Sequence, residues 1–264
     1  MKLTTLTRLK ERFRKTSDMR TKLTLISAAA AVVQLASCNG NPLEDIDYND
    51  PVFHALTETE SGTKTVLGKE DNAGNVPIMW SSGDEIIVTG DSREEACSYY
   101  KTADKNTSAA DFRYDRNKNG NRRTLKKDKW YAFYPSSSYS FSGEEHIMGL
   151  PQKQTYSPDN IGEGAMPMYA VSDDDNLSFR NLCGILRIRL NSLKNRLSIS
   201  RIKIASDKDL SGKIIRYSAQ DGIGYLTSDG SSKASAWLEC PENVVLFSDP
   251  ADFYIVMPPG SHSK

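Results

Sequence analysis

The chain has 264 residues with 34 basic and 34 acidic side chains, so its formal net charge is zero, and 38% of its residues are hydrophobic. The first 22 residues nevertheless carry +6 and residues 38–264 carry −6. A basic head on an acidic body argues against a nucleic-acid binder, which needs its positive charge on the folded part, and the hydrophobic content is above that of a disordered chain. Leu23 to Leu35 (LTLISAAAAVVQL) then runs uncharged. It is too short for a spanning helix, which needs about 20 apolar residues. A basic stretch, a short apolar run and small residues form the pattern of a cleaved export signal, assigned to residues 1–37.

The run ends Leu35-Ala36-Ser37-Cys38. This resembles a lipobox, the site at which bacterial lipoproteins are lipidated on cysteine and cut just before it. Cleavage is expected between Ser37 and Cys38, with Cys38 anchored in outer-membrane lipid through a diacylglycerol on its thiol. The head is long for such a signal, and Met19-Arg20-Thr21-Lys22 followed by the apolar run gives one of ordinary length, so Met19 is the expected true start. Residues 38–50 are polar, acidic and turn-rich and read as a flexible tether. Glu44, Asp45 and Asp47 fit either a surface-export signal or an ordinary solvated linker.

Past the tether no segment keeps a 3.6-residue apolar period. Short β-branched and aromatic runs recur instead, separated by Gly, Asp, Asn, Ser and Pro. Ser81-Ser82-Gly83-Asp84 is a turn feeding a strand at Glu85–Thr89, with Trp80 before it as a large core residue and Gly83 able to take a positive φ. A strand at Trp130–Tyr134 stops at Pro135. Ile185–Leu190 alternates, with Leu186, Ile188 and Leu190 on one face and Arg187 and Arg189 on a wet face. Gly184 before it reads as a bulge or a close backbone approach. Further strands are expected at 201–204, 213–217, 236–240, 244–247 and 253–257. Lys101 to Lys129 reads as an exposed hairpin loop and Ser136 to Ser142 as another loop. The break at Ser172-Asp173-Asp174-Asp175 predicts a joint between an N-terminal domain, 51–175, and a C-terminal domain, 176–264. Many short strands at intervals of about ten residues predict β-sandwiches.

Several motifs carry a resemblance to a known family. They are Ser61-Gly62-Thr63-Lys64-Thr65; Trp80-Ser-Ser-Gly83-Asp84-Glu-Ile86-Ile-Val88; Trp130-Tyr-Ala132-Phe-Tyr134-Pro135; Leu150-Pro151-Gln-Lys-Gln154-Thr-Tyr156; Met166-Pro167-Met168-Tyr169-Ala170; Phe179-Arg-Asn181-Leu182-Cys183-Gly184-Ile-Leu186-Arg-Ile188; and Phe253-Tyr-Ile255-Val-Met-Pro258-Pro259-Gly260. In this order, behind a lipobox, the series resembles the fimbrillin family of Bacteroidetes lipoproteins. The resemblance implies an all-β fold of two tandem transthyretin-like β-sandwich domains. Members run on past the Pro-Gly strand, so the second sandwich is expected to be incomplete here, without the C-terminal strand that family pilins donate to the next subunit. A fragment, a truncated gene and a subunit that cannot donate all fit that expectation. The family's proteolytic maturation in the first domain makes Lys64 and Lys69 the candidate cleavage sites. The implied role is a structural or adhesive component of fimbriae, a pilus subunit or pilus-associated anchor, held at the cell outer membrane and pairing with other fimbrial subunits.

Catalytic chemistry has little support in the sequence. His54, His146 and His262 are scattered, and no H-E-x-x-H, G-x-S-x-G or P-loop is present. Glu144-Glu145-His146 reads as a solvated charge cluster and Asp173–Asp175 as a loop without the spaced ligands of a calcium site. Neither an enzymatic role nor a metal or other cofactor is expected. Cys97, Cys183 and Cys240 remain once Cys38 is lipidated. The last two read as buried small hydrophobes, with a bridge between them left open. The alternative function is a surface glycan-binding lipoprotein whose aromatic platform would come from Tyr99-Tyr100 or from Tyr139 and Phe141. Its host or glycan ligand is not identified by sequence.

Overall fold

A computed structural model describes residues 50–57, 66–67, 78–90, 98–120, 128–142, 145–193, 196–216, 224–227 and 232–260. The export signal with Met19, Ser37 and Cys38, the tether up to residue 49, Lys64, Lys69, Cys97 and His262 lie outside the described residues.

The fold is all-β. In chain order come β1 (Phe53–Thr57), β2 (Val66–Leu67), β3 (Ile78–Met79), β4 (Glu85–Thr89), β5 (Ser98–Thr102) and β6 (Ala109–Tyr114), then a single helical turn, α1 (Arg116–Asn119). After it follow β7 (Trp130–Tyr134), β8 (Tyr139–Ser142), β9 (Glu145–Leu150), β10 (Lys153–Thr155), β11 (Met168–Ser172) and β12 (Asn176–Asn181). The remaining strands are β13 (Gly184–Leu190), β14 (Leu197–Ala205), β15 (Gly212–Arg216), β16 (Gly224–Thr227), β17 (Ser235–Leu246) and β18 (Ala251–Met257).

Seven strands close a barrel in the order β1-β12-β11-β7-β4-β5-β6. Closure depends on β1, which runs parallel to β12 (Thr57 beside Phe179) and antiparallel to β6 (Phe53 beside Phe112). Its alternation decides its two faces: Phe53, Ala55 and Thr57 are buried and His54 and Leu56 exposed. The core gathers Phe53, Trp80, Ile86, Phe112, Phe133, Met168 and Phe179, all inaccessible or nearly so. The Trp80 indole N–H, which could not be buried unpaired without cost, donates to the Ala55 carbonyl at 3.1 Å. Gly83 turns the chain into β4 at φ 90°, a conformation a side chain resists.

The remaining strands build a three-stranded sheet, β10-β17-β14, two two-stranded sheets, β13-β18 and β2-β3, and a four-stranded sheet, β16-β15-β9-β8. The β10-β17-β14 and β13-β18 sheets enclose a smaller core of Leu238, Cys240, Leu246, Phe253 and Ile255.

Several expectations are corrected. Residues 101–129 are not one loop, because β6 and α1 lie within them. The stretch is polar because β6 shows Asp111 and Arg113 to solvent while Ala110 and Phe112 face the core. Residues 136–142 hold a 3-10 turn and β8. The segment at 171–176 is the turn of the β11-β12 hairpin, and β12 belongs to the barrel rather than to a following domain. The expected sandwich is, in its first part, a closed barrel, since β1 supplies the pairing that joins both margins. Residues 236–247 hold one long strand rather than two; Pro241 falls in a bulge between the Val244–Ile199 and Glu239–Arg201 pairs. Gly184 starts β13 with open space around it and neither bulges nor meets another backbone.

Candidate assembly surface and the fate of the predicted sites

The two-sheet part of the molecule has one secured margin and one open margin. At the secured margin Gln154 of β10, 3% exposed, reaches across to β18. Its side-chain N–H donates to the Val256 carbonyl at 2.8 Å and its carbonyl accepts from the Val256 N–H at 2.9 Å. One amide thus satisfies the backbone that a further strand would otherwise pair. Among the described residues β13 then pairs only with β18 and β14 only with β17, which leaves β13 and β14 as the unpaired edges at the other margin.

Side chains along that margin are likewise only partly covered. Ile188 and Leu190 on β13 and Ile199, Ile202 and Ile204 on β14 point at the small core yet remain only half-buried. Leu186 is 37% and Leu197 52% exposed. A face that alternates apolar-in and polar-out is normally covered on its apolar side, and an unpaired edge beside exposed aliphatic side chains is a template for another strand. The end of the margin adds Leu193 (81%) and Phe247 (50%).

On the barrel, the outer face of β1 borders a shallow cavity of about 510 Å³ lined by His54, Leu56, Asp104, Lys105, Thr107 and Asp111 among others. His54 Nδ1 lies 2.7 Å from Asp111 Oδ1, both groups being largely solvent-exposed. Such an exposed pair contributes little to stability.

The described titratable residues singled out in the sequence, His54, His146, Cys183, Cys240, Asp174 and Asp175, lie in separate surroundings. His146 is the clearest correction: it is 5% exposed rather than solvated. Its ring stacks on Phe133 at 4.8 Å and Tyr131 at 5.7 Å, and its Nδ1 shares a 2.9 Å hydrogen bond with the Tyr139 hydroxyl. β9 carries it there by pairing with β8 beneath the aromatic strand β7. Cys183 and Cys240 are free thiols, each buried, in the larger and the smaller core respectively. Burial alone pushes the Cys183 thiol well up, leaving it protonated and inert. Asp174 caps its own hairpin turn, accepting from the Asn176 N–H, and Asp175 accepts from the Trp130 indole N–H. Among the described residues no three His, Cys, Asp or Glu side chains converge as a metal site requires.

Of the aromatic residues considered as a glycan platform, Tyr100 is buried and Tyr99, Tyr139 and Phe141 are half-buried. Tyr100 is 2% exposed and packs edge-on against Phe53. Tyr139 packs on Phe133, Phe141 lies beside His146, and the Tyr99 ring is overlaid by Lys118.

No family model matches the chain, and no curated protein matches it. Among solved structures the chain is similar to one from Bacteroides uniformis named a "putative cell adhesion protein", at 15% identity and a TM-score of 0.45, with 81% of this chain and 76% of that chain covered.

Proposed function

We propose that the chain is a fimbrillin-like lipoprotein, a structural or adhesive component of surface fimbriae that joins other subunits by strand pairing. The observation that carries this reading is the open margin: among the described residues β13 and β14 each end their sheet without a further strand, and their inward isoleucines remain half-buried. Backbone edges supply affinity in strand addition, and pockets for alternate side chains supply specificity. In this reading the Cys38 lipid holds the protein at the outer membrane, as a pilus subunit or a pilus-associated anchor. Lys64 and Lys69 follow β1 in sequence, so cleavage at either would separate β1 from the remainder of the barrel and free the place between β6 and β12 for another strand. No enzymatic chemistry is assigned.

The test is to shear surface filaments from cells that make the protein and to blot them. Expected are presence in the filament fraction and a ladder of assemblies that resists mild detergent. Absence from filaments, with a monomeric protein in solution, would overturn the reading. A Cys38→Ala variant should leave the membrane fraction; unchanged retention there would remove the lipid anchor from the proposal.

A further inference from the structure

The outer face of the β10-β17-β14 sheet, opposite the small core, carries a tryptophan that no core requires. The strand registers place Lys153, Trp237 and Lys203 in one row across the sheet. The next row on the same face sets Glu239 between Thr155 and Arg201. Trp237 is half-buried, lying in the sheet surface rather than beneath it. Arg201 lies over its ring at 5.7 Å and bonds Glu239 at 2.6 Å, and Lys153 reaches the other Glu239 oxygen at 2.8 Å. Two cations therefore share one carboxylate, one on each of its oxygens, and Lys203 adds a third positive charge in the neighbouring row. The Trp237 indole N–H is shielded from solvent with no acceptor among the described residues. A shielded donor without a partner costs free energy and calls for an explanation.

We propose that this face is a binding platform for an acidic polysaccharide, a chain of sugar rings bearing carboxylates or sulfates. A pyranose lays its apolar C–H face on an indole as another ring would. Arg201 turns from the Trp237 ring toward the ligand's anionic group, which bares the ring and offers its N–H an acceptor. Lys203 and Lys153 flank the ring on either side and set the charge preference, while the Glu239 oxygen that Arg201 releases accepts from a sugar hydroxyl and the Ser235 hydroxyl bonds another. The whole body is acidic, so long-range attraction for a polyanion is weak. Recognition has to come from the ring contact together with the local cations, which favours a sugar chain over a nucleic acid. The platform shares β14 with the open margin but uses the outward side chains of that strand rather than its backbone edge, and it does not depend on fimbrial assembly.

The experiment is calorimetric titration of the full chain with polygalacturonate, heparin, neutral dextran and a single-stranded oligothymidine. Binding to polygalacturonate or heparin is expected, and which of the two binds tells carboxylate from sulfate. Trp237→Ala should weaken it about tenfold, the scale of one lost aromatic contact. Trp237→Phe should recover most of that loss. Lys203→Glu should weaken binding, while Lys208→Glu, on the exposed turn that follows β14 and outside the Lys153-Trp237-Lys203 row, should not. The proposal is overturned if neither acidic polymer binds, or if dextran or the oligothymidine binds as tightly. It also fails if Trp237→Ala binds like the parent, or if Lys208→Glu costs as much as Lys203→Glu.

Discussion

Trp80 shows how one side chain organises the barrel. Its ring meets Phe112, Tyr134 and Phe179 edge-on at 4.9, 5.5 and 5.2 Å, and its N–H ties it to β1. Trp80→Ala should lower stability by about 3–5 kcal/mol, the usual cost of emptying a large aromatic site. A urea titration checks this, and a midpoint close to the parent's would contradict the central role. Asp252 makes a prediction of a different kind. Hydrogen bonds from Arg189 and then Arg187 hold its carboxyl well below the usual carboxylate range. A carboxyl lowered in the folded state stabilises fully above its unfolded pKa of about 3.9, and the contribution is lost as pH falls below that value toward the folded pKa. Thermal midpoints should therefore fall between about pH 4 and pH 2 less steeply in Asp252→Asn than in the parent. Trp80 and Gly83 are legible in sequence because a tryptophan before a Gly-Asp turn is a local signal. His146 is not, because only the packing of β9 under the rings of β7 decides that a polar residue beside two glutamates is buried.

At the scale of elements, strands with strong β-branched or aromatic content are read correctly to the residue: Glu85–Thr89 and Trp130–Tyr134 are β4 and β7. β6 is missed because its wet face is charged and its buried face includes an alanine, so its alternation carries little hydrophobic contrast. β17 is divided in the sequence reading because Pro241 cannot donate a ladder bond, yet a bulge accommodates it without ending the strand. The open margin is only partly legible. The resemblance predicts an incomplete second part, but which edges stay unpaired depends on Gln154, whose amide stands in for a strand beside Val256. Gln154→Ala should remove both hydrogen bonds and leave the Val256 backbone unsatisfied, at a cost of about 1–3 kcal/mol. Hydrogen exchange is the direct readout. The Val256 amide should exchange faster in the variant while amides of β4 and β7 hold their protection, and uniform acceleration through the barrel would show that Gln154 acts globally rather than at this margin.

For the molecule as a whole, the sequence reading divides the body near residue 175, and the strand pairings cross that division in three places. β12 joins the barrel, β9 pairs with β15, and β10 pairs with β17. Val256 of β18 also enters the larger core. Residues 50–264 cluster as one compact unit. Strands exchanged in this way couple the two cores, because neither can open without breaking ladders that belong to the other. The expected consequence is a single cooperative unfolding transition rather than two. The tryptophans allow a check from both sides, since Trp80 and Trp130 report the barrel and Trp237 reports the three-stranded sheet. In Trp237→Phe the remaining fluorescence follows the barrel alone, and its urea midpoint should coincide with the midpoint from far-ultraviolet circular dichroism. In Trp80→Phe/Trp130→Phe the fluorescence follows Trp237, and it should again coincide with that variant's own dichroism, at whatever lower midpoint the core substitutions impose. If the Trp237 signal is lost at lower urea than the dichroism, the two-sheet part melts first as an independent unit and the shared ladders do not couple the cores. Coincidence in both variants would mean that the open margin unfolds only together with the barrel, so that the edges of β13 and β14 are not exposed by a separate melting of the two-sheet part.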